Sequence, residues 1–111
     1  MDSRVFFFDE LFDSSATDDE VFASVAEELD AAVAGEAVCV LAYGATGSGK
    51  THTVANLARR AALELEQKAM HMEQCGLSME IAVQVVEIYN DQLRDLLAEG
   101  NGRKSLEVVG F

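Results

Sequence analysis

The run Gly44-Ala45-Thr46-Gly47-Ser48-Gly49-Lys50-Thr51 constrains this chain more than any other, because it is a complete loop of the form G-x-x-x-x-G-K-[ST]. Glycines 44, 47 and 49 permit backbone conformations closed to other residues, so successive N–H groups turn inward and form a nest for an anion. Lys50 brings a compact positive charge for terminal phosphates, and the Thr51 hydroxyl is placed to ligate Mg²⁺. A helix starting near Lys50 adds the positive end of its dipole to the same spot. Such a loop needs a strand before it and a helix after it. Ala37 to Tyr43 is a short apolar run rich in β-branched residues, read as a strand buried on both faces. After the loop, Val54, Leu57, Ala58, Ala61, Leu65, Ala69 and Met72 recur at steps of three and four, one face of a helix from about 51 to 73. The bland alternative, a Gly-rich surface turn, has no need of these flanks.

Upstream, Arg4-Val5-Phe6-Phe7-Phe8 reads as an aromatic strand and Asp13-Ser14-Ser15 as a turn. Thr17-Asp18-Asp19-Glu20 is a capping box that opens a helix carrying Phe22, Val25, Leu29 and Val33 on one face, with Gly35 ending it. Gly76 stops the long helix. Met79 to Tyr89 is apolar on both faces and suits an inner strand. Asn90 to Leu97 reads as a short helix with Asn90 as its cap, followed by a hairpin-like turn at 100–104 and an edge strand from Ser105 to Val109. Strands alternating with helices imply an α/β architecture with a mostly parallel central sheet.

At 111 residues the chain is at most one domain, and half of it is hydrophobic. No run of eighteen apolar residues predicts a membrane span, and no basic-then-apolar leader opens the chain. Cys39 and Cys75 lack metal spacing and read as reduced cysteines of a cytoplasmic protein. The net charge of −12 is concentrated at the front, since eleven Asp and Glu in residues 1–36 face Arg4 alone. That acidity argues against nucleic acid as a partner, and most of these carboxylates read as a solvated face.

Three segments together resemble one family. Phe6-Phe7-Phe8-Asp9-Glu10-Leu11-Phe12 looks like the F-x-F-D-x-V-F element of the kinesin motor domain. Ala42 to Thr53 is close to its A-Y-G-Q-T-G-S-G-K-T-[YH]-T loop, and Glu87 to Leu97 resembles its E-I-Y-N-E-x-[IV]-x-D-L-L signature. The resemblance implies a P-loop NTPase fold, here incomplete, with residues 1–111 forming the phosphate-loop part of a motor domain. It implies that Gly44, Ala45, Thr46, Gly47, Ser48, Gly49, Lys50 and Thr51 hold ATP, that Thr51 ligates Mg²⁺, and that His52 lies near the adenine. The alternative for His52 is a partly exposed side chain in the first helical turn. His71 has no counterpart and reads as solvated.

The family pattern also departs in places. Ala45 stands for the usual Gln, and Val54 to Cys75 lacks the Gly/Pro-rich insertion that follows K-T-[YH]-T in the family. The family's R-x-R-P element and its N-x-x-S-S-R-S-H and D-L-A-G-x-E switches do not occur in these residues, so no catalytic residue is assigned. The implied activity of the parent protein is a microtubule-stimulated ATPase in the cytoplasm and cytoskeleton. Microtubules would bind through parts outside these residues, with no nucleic acid or membrane partner. Arg103 and Lys104 read as a solvated turn. The competing readings are a catalytically inactive, motor-derived interaction module with exposed apolar surface, and an unrelated phosphate-loop protein.

Overall fold

The computed structural model describes residues 3–98 and the backbone of residues 105–106, in two units, 1–76 and 77–111. The first unit is helical. Its opening helix, α1 (Asp18–Ala23), forms because Thr17 and Glu20 cap one another: the Thr17 hydroxyl accepts from the Glu20 N–H at 3.3 Å, and the Glu20 carboxylate accepts from the Thr17 N–H at 2.7 Å. The expected single helix is broken at Ser24, whose hydroxyl donates to the Val21 carbonyl at 2.8 Å, a local bond that competes with the helical ladder. The chain restarts as α2 (Ala26–Val33) and ends at Gly35, where φ is +101°. Upstream, the Asp13 carboxylate accepts from the Ser15 hydroxyl and N–H at 2.5 and 2.8 Å, closing the expected turn and lowering the Asp13 carboxyl below its ordinary pKa.

The third helix, α3 (Lys50–Gln74), runs 25 residues without interruption and stops before Gly76 at φ +79°. Helical periodicity identified most of its apolar face, although Val54 and Ala58 of the expected set are exposed. Leu57, Ala61, Leu65, Ala69 and Met72 are half-buried, as are Phe22, Val25, Leu29 and Val33 on α1, the Ser24–Val25 turn and α2. Between them lies an apolar groove of about 300 Å³ that Val38 and Val40 also line. No described residue is fully buried, so apolar contact is spread over these half-covered faces and not gathered into a core.

The sheet differs from expectation. Residues 4–8 and 37–43, expected as strands, lie outside regular structure and pair in no ladder, and 37–43, expected to be buried on both faces, is exposed throughout because no strand of this unit lies beside it to cover it. The described strands lie in the second unit and are all antiparallel, so the expected mostly parallel sheet is corrected. From the 79–89 run only β1 (Val86–Tyr89) is a strand. The predicted helix at 90–97 is instead a turn and the strand β2 (Gln92–Asp95), and Ser105–Leu106 forms the edge strand β3. Asn90 and Asp91 explain the reversal. Their φ values of +50° and +58° make the two-residue loop of a hairpin, and Asn and Asp tolerate that region better than other non-glycine residues. Glu87 stands opposite Arg94 in register, with 3.6 Å between their charged atoms. The predicted turn at 100–104 and the strand residues beyond Leu106 lie outside the described residues.

Two expectations follow. The contact with the Thr17 N–H, helped by the Thr17 hydroxyl, holds the Glu20 carboxyl below its ordinary pKa. Its stabilisation of α1 is therefore complete above the ordinary carboxylate range and is lost as pH falls through the lowered value. Amide exchange at Glu20, corrected for intrinsic rates, will rise on acidification, and Glu20→Gln will flatten that dependence. In the hairpin, Asp91→Gly will slow exchange of the Leu96 N–H, which bonds the Val85 carbonyl at 2.9 Å, whereas Asn90→Val will speed it by forcing a β-branched residue to positive φ, at a cost of roughly 1–2 kcal/mol.

Candidate phosphate-binding site

Chain direction changes sharply between residues 44 and 50. Gly47 and Gly49 hold φ at +78° and +95°, and the Ser48 N–H closes a turn onto the Ala45 carbonyl at 3.1 Å. Gly44 is needed for a different reason. A Cβ there would stand 2.8 Å from the Ser48 hydroxyl oxygen, so a side chain at 44 displaces the Ser48 hydroxyl from the position it holds against the loop.

The Lys50 ammonium folds back over the loop and donates to the carbonyls of Gly44 at 2.8 Å and Ala45 at 2.6 Å. The loop and its cation therefore form one closed unit of sequence neighbours. Helix α3 begins at Lys50, with Gly49 as N-cap and no side chain capping it, and the first turn holds no acidic residue. The leading N–H groups of α3 have no intrahelical acceptor. The contrast with α1 is informative: there, Thr17 and Glu20 satisfy the start of the helix. At α3 the donors, the dipole and Lys50 all favour an anion. Thr51 is exposed in the first turn.

His52 and the acidic front of the chain meet beside this loop. His52 Nε2 lies 3.5 Å from Asp18 Oδ1 and 3.1 Å from Asn56 Nδ2, and Asn56 donates to Asp18 Oδ2 at 2.9 Å. Further along α3, Arg60 pairs with Asp19 and stacks 5.9 Å over the Phe22 ring. Lys68 donates to Asp30 at 2.6 Å, a bond that raises the Lys68 pKa, with Glu64 adding to the effect. Three carboxylates read as a solvated face thus serve to dock α1 and α2 on α3. The sequence signal was present, since positions 52, 56, 60, 64 and 68 form a polar row at steps of four.

Tyr43, at the mouth of the loop, is 98% exposed, and Cys39 and Cys75 are free and exposed. Among the described residues, no group of three or more His, Cys, Asp or Glu side chains could hold a metal ion by itself. No helix among them is long and apolar enough to cross a membrane. The loop geometry yields a direct expectation. Gly44→Ala will speed exchange of the Ser48 amide, and adding Ser48→Ala will reverse most of the effect by removing the hydroxyl that the new methyl strikes.

Comparison with known proteins agrees with the motif reading. A family model described as "Kinesin motor domain" matches residues 1–110. The Kinesin-like protein KIN-14L of Arabidopsis thaliana is 38% identical over 107 residues, covering 88% of this chain and 11% of that protein. Kinesin-like protein klpA of Emericella nidulans is 38% identical over 108 residues, covering 93% and 14% respectively. Kinesin-like protein 2 of Schizosaccharomyces pombe is 34% identical over 110 residues, with the same coverages of 93% and 14%. The chain thus spans about an eighth of the length of these relatives. No solved structure matches it.

Proposed function

Since this chain belongs to the kinesin motor domain family, we propose that residues 44–51 are the ATP-phosphate cradle of a microtubule motor of the cytoplasmic cytoskeleton. The family carries with it the P-loop NTPase fold, and residues 1–111 supply the phosphate-loop part of the motor domain. The observation that carries this reading is the position of the Lys50 ammonium on two carbonyls of its own loop. A neutral carbonyl is a weaker partner for an ammonium than a phosphate oxygen, so a bound triphosphate draws Lys50 off Gly44 and Ala45. The uncapped N–H groups at the start of α3 then gain acceptors that nothing in the first turn provides.

Each residue has a distinct task. Gly44, Ala45, Thr46, Gly47, Ser48 and Gly49 present backbone N–H groups around the phosphates, and the glycines keep that surface free of side chains. Lys50 is the mobile counter-charge. The exposed Thr51 hydroxyl suits Mg²⁺, a hard cation that keeps most of its ligands as water and phosphate oxygens. When bound, Mg²⁺ supplies charge neutralisation to the phosphate oxygens. His52 follows directly and presents its ring beside the base. Hydrolysis and microtubule engagement require further groups that residues 1–111 do not supply, and they belong to the parent protein.

Titration of the 111-residue chain with a fluorescent ATP analogue tests this. Binding should be saturable, stronger with Mg²⁺, and weakened roughly ten- to a hundredfold by Lys50→Ala, the range expected for losing a charge-assisted contact. Equal affinity for the Lys50→Ala variant would sink the proposal.

A further inference from the structure

We propose that Asp18 is a positioning residue of the nucleotide site, fixing Asn56 so that Asn56 holds one edge of the His52 ring and its faces are presented to the base. This rests on the reading of His52 as the residue beside the base. The geometry is specific to one edge. Asn56 Nδ2 donates to Asp18 Oδ2 at 2.9 Å and, in the tautomer whose Nε2 carries no proton, to His52 Nε2 at 3.1 Å, while Asp18 Oδ1 stands 3.5 Å from that nitrogen without a proton to share, so Asp18 reaches the ring through Asn56. Nothing in that triangle covers the ring, whose side chain is 74% exposed. A ring held by its edge with open faces is a stacking platform, and stacking on an aromatic face is how proteins hold a base without reading its identity.

Asp18 is fit to do this because it is itself fixed. It is the first residue of α1, immediately after the Thr17–Glu20 cap, and the neighbouring Asp19–Arg60 pair ties the same turn to α3. His52 and Asn56 lie one helical turn apart on α3, so the carboxylate that fixes the Asn56 amide fixes the group that meets the ring. Without Asp18 the exposed ring is free to sample its other rotamers, and the base must then bear the entropy of ordering it. The phosphate cradle is untouched by this change, since none of its hydrogen bonds involves α1.

That separation defines the test. Binding of the fluorescent ATP analogue with Mg²⁺, and competition by inorganic tripolyphosphate, are measured for the full chain and for Asp18→Ala, Asp18→Asn, His52→Ala and Lys50→Ala. Asp18→Ala should weaken the analogue roughly three- to tenfold, part of what a base–aromatic stack contributes, and leave tripolyphosphate unchanged. Asp18→Asn keeps acceptor oxygen for Asn56 and should recover most of the loss. Adding Asp18→Ala to His52→Ala should cost nothing more, because the two act through one ring. If Asp18→Ala weakens analogue and tripolyphosphate together, or weakens neither, Asp18 does not position the base and the inference is overturned. If the unaltered chain binds neither probe, or Lys50→Ala changes neither, the cradle reading itself fails and carries this one with it. Helical content by circular dichroism separates loss of α1 from loss of the contact.

Discussion

The backbone conformation of Gly49 governs the first unit. At φ +95° it leads the turn closed on Ala45 directly into a helix, a step that a residue with a Cβ takes only under strain. A Ser, Asp or Asn at this N-cap would satisfy the first N–H groups with its own side chain. Glycine starts the helix and leaves them unmet. The same residue therefore sets the direction of α3, brings Lys50 over the loop carbonyls and keeps the site open to an anion. Helices α1 and α2 dock along α3, so their placement follows from that turn.

How much was legible in the sequence depended on how local each interaction is. The Thr17–Glu20 cap, the glycine stops at 35 and 76 and most of the apolar face of α3 involve residues a few positions apart, and the structure has them as the sequence suggests. The sheet differs. Hydrophobic patterning states which face of a strand is covered, but not which strand lies beside it. Residues 37–43 illustrate this: their continuous apolar run suits a strand covered on both faces, yet no ladder forms along them and they are exposed, with only Val38 and Val40 lining an apolar groove. At 90–97, Leu93, Leu96 and Leu97 fall at helical steps of three and four, and Asn90 suits a helix cap as well as a hairpin turn. Asp91 beside it was the discriminating signal, since two adjacent residues tolerant of positive φ favour the turn. The polar row on α3 at 52, 56, 60, 64 and 68 is legible as a docking face only beside its partners Asp18, Asp19 and Asp30, which lie more than thirty residues away in sequence.

Two kinds of contact hold α1 and α2 on α3, and their magnitudes assign them different roles. Half-covering a Leu- or Val-sized side chain contributes on the order of 1 kcal/mol, and Phe22, Val25, Leu29, Val33, Leu57, Ala61 and Leu65 are all half-buried. The ion pairs Asp19–Arg60 and Asp30–Lys68 are exposed enough for water and salt to screen them heavily. The apolar faces therefore supply most of the attraction. The polar row supplies register: sliding α1 by one turn would bring Asp18 and Asp19 opposite the wrong positions.

The same row resolves an electrostatic conflict. Eleven carboxylates in residues 1–36 lie close in sequence to a loop shaped for a highly charged anion, and unpaired acids near that loop would oppose binding. Several of these carboxylates are given partners on α3 or within their own turn. Asp18 meets His52 and Asn56, Asp19 meets Arg60, and Asp30 meets Lys68. Glu20 is engaged in its own helix cap and Asp13 in its turn. Fields from the remaining exposed acids fade over a Debye length of about 8 Å at physiological salt, so partners are needed chiefly where acid and loop approach each other. The acidic front of the chain is thus compatible with the phosphate cradle because α3 carries, on one face, the polar groups that meet those acids and, at its start, the cation and open donors that meet an anion.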